Sequence, residues 1–165
     1  MTKIARWLHN HFRRSARRGK WSFFWRTWLE AVVIAYAVGI IAQTLLRAPP
    51  RDDLARLSTW HLCLLVLGIG PFVETVAFQC LPVEIAAAAR ARRIVRLASG
   101  IVPFALLHWF AGLPTVFAAG FVGGFYFSFT YERWRRESVV VAVVMTFLLH
   151  STFNLVGALA MILSR

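Results

Sequence analysis

Apolar residues of this chain occur in long runs, and not at the alternating or stripe-like positions of half-buried strands and helices. Three runs are clear: about Trp25 to Leu46, near Trp60 to Leu81, and near Val139 to Leu163. A helix of ~20 apolar residues crosses a hydrocarbon core of ~30 Å, and each run has about that length. The pattern predicts an all-α fold, a polytopic membrane helical bundle.

The stretch from Ile94 to Tyr131 is also apolar, but it has two interpretations. Its Gly112-Leu113-Pro114 sequence fits a tight turn between two short helices, and it equally fits a break within one long helix. The first interpretation gives five membrane spans in total, and the second gives four.

The distribution of basic residues favours the hairpin. Lys and Arg are concentrated in the N-terminal segment, in residues 90–96 and in residues 133–136. A hairpin places all three groups on one side of the membrane, whereas one long helix would place the last group on the other side. Because loops rich in Lys and Arg stay in the cytoplasm, we expect five spans with a cytoplasmic N-terminus and an external C-terminus.

The chain divides into two parts. Residues 1–24 are basic, and their apolar residues recur at helical spacing, which predicts an amphipathic segment on the cytoplasmic membrane surface; a disordered basic tail is the alternative. Residues 25–165 form the predicted transmembrane domain. The first apolar run is too long for a signal peptide, so we expect an uncleaved anchor.

Composition agrees with a membrane protein. The chain has 165 residues, is 59% hydrophobic and carries a net charge of +12. This length leaves no room for a separate soluble enzyme module. The charge is accounted for by membrane orientation and attraction to anionic lipid, so we expect membrane lipid and no nucleic acid as a partner. The expected location is the plasma (inner) membrane of a bacterial cell, as a multi-pass protein.

Polar residues inside the apolar runs are the candidates for chemistry. An ionisable group in the bilayer costs roughly 2.5 to 3.5 kcal/mol on insertion scales, so it persists mainly where it has a function. Three short motifs contain such positions. The residues of interest are Glu74, Thr75 and Gln79 in the first, His108 with Phe104 four positions before it in the second, and His150 and Asn154 in the third.

Depth and spacing bring these motifs together. Measured from the nearest charged residue on the cytoplasmic side, Glu74, His108 and His150 lie roughly 15 to 20 Å deep, at ~1.5 Å per residue. Members four positions apart, such as His150 and Asn154, share one helical face. The sequence therefore predicts one polar site near the middle of the membrane.

The three motifs resemble those of a known family. The sequences ETVAFQ (74–79), FALLH (104–108) and HSTFN (150–154) resemble, in the same order, the EExxxR, FxxxH and HxxxN motifs of the CAAX-protease and bacteriocin-processing (CPBP) family of intramembrane proteases. The resemblance covers about half of the chain. It implies an intramembrane endopeptidase whose substrate is a peptide or a membrane protein.

One motif departs from the family pattern. Thr75 and Gln79 stand where the family has Glu and Arg, so an ion pair four residues apart is replaced by neutral residues. We expect Thr75 and Gln79 to form an uncharged hydrogen-bonding pair that leaves no unpaired charge in the membrane. Together with Phe104, they are expected to support the site.

The resemblance implies peptide hydrolysis without a covalent intermediate. Glu74, together with His108, would take a proton from the attacking water. His150 and Asn154 would donate hydrogen bonds to the oxyanion that forms on the scissile carbonyl.

Two alternatives stay open. Glu74, His108 and His150 would also be a suitable ligand set for zinc, although the resemblance favours a metal-free mechanism and no cofactor is expected. The Thr75 and Gln79 substitutions also fit a non-catalytic CPBP-like membrane protein, such as an accessory or immunity protein.

Overall fold

The computed structural model describes residues 19–47 and 57–163. These residues form five long helices and no β-strand, which confirms the all-α prediction. The helices are α1 (Lys20–Leu46), α2 (Thr59–Ala88), α3 (Arg93–Ala111), α4 (Leu113–Trp134) and α5 (Val139–Leu163). All five are long and apolar enough to cross a membrane, so the protein has the features of a multi-pass membrane protein.

The predicted interfacial segment lies mostly outside the described residues. Its last part, residues 19–24, is described, and it belongs to the first transmembrane helix, because α1 already begins at Lys20. The first span is therefore longer at its basic end than the hydropathy pattern alone predicts.

Helices α3 and α4 form the predicted hairpin. Gly112 separates them with φ +90°, a conformation that residues with a side chain rarely adopt. Pro114 follows in the first turn of α4, where its missing N–H breaks no helical hydrogen bond. The Gly-Leu-Pro sequence is thus a turn between two spans, and the single-helix alternative is excluded.

Ion pairs join the basic ends of three helices. Arg135, just after α4, binds Glu84 of α2 through two hydrogen bonds of 2.8 and 2.7 Å. Arg96 of α3 binds Glu132 of α4, with a shortest distance of 2.6 Å. Because these contacts join the end of α2, the start of α3 and the end of α4, they define one charged end of the bundle, as the hairpin topology requires.

Helix α2 is continuous although it contains two prolines. Its segments Leu64–Ile69 and Thr75–Cys80 are π-helical, and each ends two residues before a proline, at Pro71 and Pro82. A proline ring inside an α-helix clashes with the carbonyl group four residues earlier. A wider π turn before the proline gives that carbonyl group room, so the helix continues through both prolines.

Helices α3 and α4 approach closely at small residues. A Cβ atom added to Gly120 would lie 2.8 Å from the Cα atom of Ala105, so a side chain does not fit there without movement of the backbone. A Cβ on Gly124 would lie 3.0 Å from the ring of Phe104. The two glycines therefore set the distance between the helices, and they support a ring that belongs to the site.

We predict that Gly120→Ala lowers the free energy of unfolding by about 1 to 3 kcal/mol, because the new methyl group overlaps the α3 backbone. Thermal unfolding in detergent, followed by tryptophan fluorescence, measures the effect.

Gly68→Ala is the matched control, since Gly68 also lies in a π-helical segment and its added Cβ would meet only Leu64, at 4.0 Å. Equal unfolding midpoints for Gly120→Ala and Gly68→Ala would contradict the close-packing interpretation.

Candidate active site

All four residues predicted as catalytic line one cavity of about 620 Å³. Glu74 comes from α2, His108 from the end of α3, and His150 and Asn154 from α5. The common depth expected from the sequence is therefore matched by a shared cavity to which α2, α3 and α5 each contribute one or more of these residues.

Glu74 and His150 face each other in this cavity. The carboxylate Oε2 of Glu74 lies 3.6 Å from Nε2 of His150, and the two side chains are 28% and 3% exposed. This distance is too long for a direct hydrogen bond. A water molecule beside the line that joins the two atoms would be within hydrogen-bonding reach of both.

Aromatic rings fix the orientation of His150. The ring of Phe127 stacks on the imidazole at a centroid distance of 4.2 Å, and Phe104 meets it edge-on at 5.5 Å. Phe104 also packs against His108, with 4.6 Å between the ring centroids. The phenylalanine of the second motif, Phe104, thus packs against both histidines.

A hydrogen bond fixes the tautomer of His108. Its Nδ1–H donates to the backbone carbonyl of Phe104, at 2.8 Å. A carbonyl oxygen only accepts, so the proton of the neutral imidazole lies on Nδ1 and the lone pair lies on Nε2. The helix tightens to a 3-10 turn at His108–Ala111, which places this imidazole next to the α3–α4 turn.

Asn154 has a partner that the motif does not reveal. Its side-chain Nδ2 donates to the backbone carbonyl of Val66 in α2, at 3.0 Å. Val66 lies in the first π-helical segment, where carbonyl groups bond to the N–H five residues later, as Leu65 does with Gly70. The residue five positions after Val66 is Pro71, which has no N–H.

The Asn154 side chain therefore replaces the backbone donor that Pro71 lacks. An unpaired carbonyl group is costly in an apolar environment, so this hydrogen bond favours one alignment of α5 on α2. His150 lies one turn before Asn154, and Glu74 lies two turns after Val66 on the antiparallel helix. The same hydrogen bond thus places the imidazole opposite the carboxylate.

The predicted hydrogen-bonding pair of Thr75 and Gln79 is wrong. Both residues are completely buried, but neither side chain has a hydrogen-bond partner among the residues that the structure describes. The segment Thr75–Cys80 is π-helical, so side chains four positions apart are no longer stacked as they are in an α-helix. Their neutrality still avoids a buried unpaired charge.

The zinc alternative does not fit this arrangement. Within residues 19–47 and 57–163, no three His, Cys, Asp or Glu side chains lie close enough together to hold a metal ion. Glu74, His108 and His150 share the cavity without converging on one point. The mechanism below therefore contains no metal step.

The cavity extends away from the charged end. Beyond Glu74 its walls include Leu65 of α2, Met161 of α5, and Phe110 and Ala111 beside the α3–α4 turn. Phe110 is 93% exposed. The space therefore runs from the middle of the bundle toward the opposite end of the bundle.

Three features of the site were not predicted from the sequence. Tyr36 of α1 lines the cavity, Phe127 stacks on His150, and the carbonyl of Val66 holds Asn154. A tyrosine in the middle of an apolar span is a polar exception, so Tyr36 could have been found by the reasoning that found Glu74. Phe127 is one of many phenylalanines, and a backbone carbonyl has no sequence signal.

No protein-family model matches this chain, and neither the curated proteins nor the solved structures contain a match. The side chains around the cavity are therefore the observations on which a function can be proposed.

We predict that Asn154→Leu lowers the free energy of unfolding by about 1 to 3 kcal/mol, because the Val66 carbonyl loses its donor in an apolar environment. In a Pro71→Ala background, the new N–H at position 71 can bond to Val66, so the same substitution should cost less. Unfolding of the four proteins in detergent gives this double-mutant cycle. If Asn154→Leu lowers the free energy of unfolding equally in both backgrounds, within about 0.5 kcal/mol, the Asn154 side chain does not replace the missing N–H of Pro71.

Proposed function

We propose that this chain is an intramembrane endopeptidase of the type that its three motifs resemble, the CPBP family. The observation that carries the proposal is the approach of Glu74 to His150, at 3.6 Å, in a cavity that His108 and Asn154 also line. A carboxylate, two imidazoles and an amide around one enclosed space provide a base and hydrogen-bond donors for the attack of water on a peptide bond.

In this mechanism Glu74 removes a proton from a water molecule as the water oxygen attacks the scissile carbonyl carbon. The carbonyl π bond breaks and its electrons form an oxyanion. The proton then passes to the amide nitrogen as the C–N bond breaks, which yields a carboxylic acid and an amine. Atoms and charges balance without a cofactor.

The two histidines have different roles in the proposal. His108 has the lone pair of its neutral imidazole on Nε2, so it can assist Glu74 in accepting the proton from water. His150 directs Nε2 toward the reacting space and would donate its N–H to the oxyanion.

Asn154 has one N–H bound to Val66, and the proposal assigns its second N–H to the oxyanion. Such a donor contributes about 3 kcal/mol to the stabilisation of a transition state when it is fixed in a dry site. The aromatic rings around His150 and the bond to Val66 supply that fixation.

The substrate class follows from the shape and lining of the cavity. Its apolar walls suit a peptide or a membrane-protein segment, and its extension to the end opposite the ion pairs allows entry from that side. If the charged end is cytoplasmic, as the positive-inside rule favours, the protein cleaves substrates that reach the site from the outer half of the plasma (inner) membrane.

Thr75 and Gln79 support a second candidate, a non-catalytic membrane protein such as an accessory or immunity protein. Both residues are neutral where the CPBP motif has charges, and their side chains make no hydrogen bond within the described residues. This candidate predicts that the fold and its partners matter and that Glu74 is dispensable.

We predict that Glu74→Gln slows peptide-bond cleavage about 100- to 10,000-fold, because the isosteric amide cannot accept the proton of water. Substituting His108 or His150 by Gln should also reduce cleavage. Membranes from cells that produce each variant at equal levels are compared by mass spectrometry for peptide termini that wild type alone generates.

Glu30→Gln is the matched control, because Glu30 is a carboxylate of α1 that does not line the cavity. It should generate the same termini as wild type. If folded Glu74→Gln generates them at the wild-type rate, the protease proposal fails and the non-catalytic alternative gains support.

A further inference from the structure

Behind the site, buried polar atoms continue toward the charged end. Thr75, Gln79, Ser128 and Thr146 are each 0% exposed, and none of their side-chain oxygen or nitrogen atoms has a hydrogen-bond partner in the described part of the chain. Nδ1 of His150 is likewise buried and unpartnered. We call these five side chains the polar column.

The polar column comes from three neighbouring helices, α2, α4 and α5. The π-helical segment Thr75–Cys80 packs against both α4 and α5. Thr146 lies one turn before His150, and because α2 and α5 are antiparallel, it lies near the level of the residues after Glu74. Ser128 faces α3 where Gly100 has no side chain, since a Cβ on Gly100 would overlap the Ser128 hydroxyl.

The polar column leads to the hydrogen-bonded groups of the charged end. The hydroxyl of Tyr131 lies 3.1 Å from Sγ of Cys80 and 2.9 Å from Oε1 of Glu84. The Glu84 side chain is 31% exposed and binds Arg135. Polar groups therefore extend from Glu74 and His150 to the surface at the end opposite the cavity opening.

Unpaired hydroxyl and amide groups are unfavourable in a protein interior, and even more so within a bilayer. Five such side chains along one path are the usual surroundings of buried water, which typically makes ~3 hydrogen bonds with groups of this kind. Water bound beside these side chains would give each of them a hydrogen-bond partner.

We propose that the polar column binds a file of water molecules that connects the charged end with Glu74 and His150. The file explains how a hydrolase could work when its substrate fills the cavity from the opposite end: the attacking water arrives from behind the catalytic carboxylate. This role in water supply rests on the proposed peptidase function, whereas the binding of water does not.

Stability tests the binding of water. Thr75→Val and Thr146→Val keep the shape of the side chain and remove the hydroxyl. If the hydroxyls bind water, each substitution should lower the unfolding midpoint by about 2 to 4 °C, because the water loses a partner. A raised or unchanged unfolding midpoint would show that these hydroxyls bind no water, and it would overturn the proposal.

Thr152→Val is the matched control on α5. The Thr152 hydroxyl donates to the carbonyl of Leu148 in its own helix, at 2.7 Å, so it needs no water. The unfolding midpoint of Thr152→Val should stay within about 1 °C of that of wild type. A high-resolution structure of the wild type should show water within hydrogen-bonding distance of Thr75 and Thr146; direct pairing of the column side chains would contradict the file.

Kinetic measurements test whether the polar column supplies water for peptide hydrolysis. For the membrane peptides that wild type cleaves and Glu74→Gln does not, Thr146→Val should lower kcat about tenfold with KM unchanged, and Thr152→Val should change neither. Equal kcat values would overturn the supply role. If Glu74→Gln cleaves like wild type, the peptidase proposal fails, while the midpoints and the observed waters still decide whether the file exists.

Discussion

The hydrogen bond from Asn154 to the Val66 carbonyl is the interaction on which the site depends. A carbonyl group that lacks a donor is costly in an apolar environment, and Pro71 removes the donor that Val66 would have in a π-helix. A side chain from another helix replaces it, so a local defect of α2 becomes a specific contact with α5. His150 lies one turn from Asn154, so that contact helps to bring the imidazole near Glu74.

Two further constraints keep the site in place. Ion pairs such as Arg96 with Glu132 join the helices at the charged end, and the missing side chains of Gly120 and Gly124 let α4 approach α3. The ring of Phe104 is held by that approach, and it contacts His108 and His150 in turn. A small bundle thereby positions polar side chains rigidly in an apolar environment, where fixed donors and acceptors have their largest effect.

Much of the fold could be predicted because the bilayer imposes simple rules. The length of the apolar runs gave the spans, the basic residues distinguished a hairpin from one helix, and Gly112 and Pro114 marked the turn. The meeting of Glu74, His108 and His150 was predictable for the same reason: equal depth in neighbouring spans leaves few other places for polar groups.

The parts that could not be predicted depend on helix type and on backbone atoms. The pairing of Thr75 with Gln79 assumed an α-helix, but the wider turn before Pro82 changes which side chains share a face. The partner of Asn154 is a carbonyl group, which every residue possesses, and only the hydrogen-bond requirements around Pro71 distinguish it. Prolines within apolar spans are thus the sequence signal that points to such contacts.

The central claim is that Glu74 activates water in the middle of the membrane. It is tested by the source of the oxygen atom that enters the new C-terminal carboxylate on cleavage. The purified protein in liposomes is incubated with membrane peptides in water labelled with oxygen-18, and the new C-termini are analysed by mass spectrometry. Wild type should form C-termini that contain one labelled oxygen, and Glu74→Gln should form none. Labelled termini of equal abundance in both proteins, or no new termini with wild type, would contradict this account.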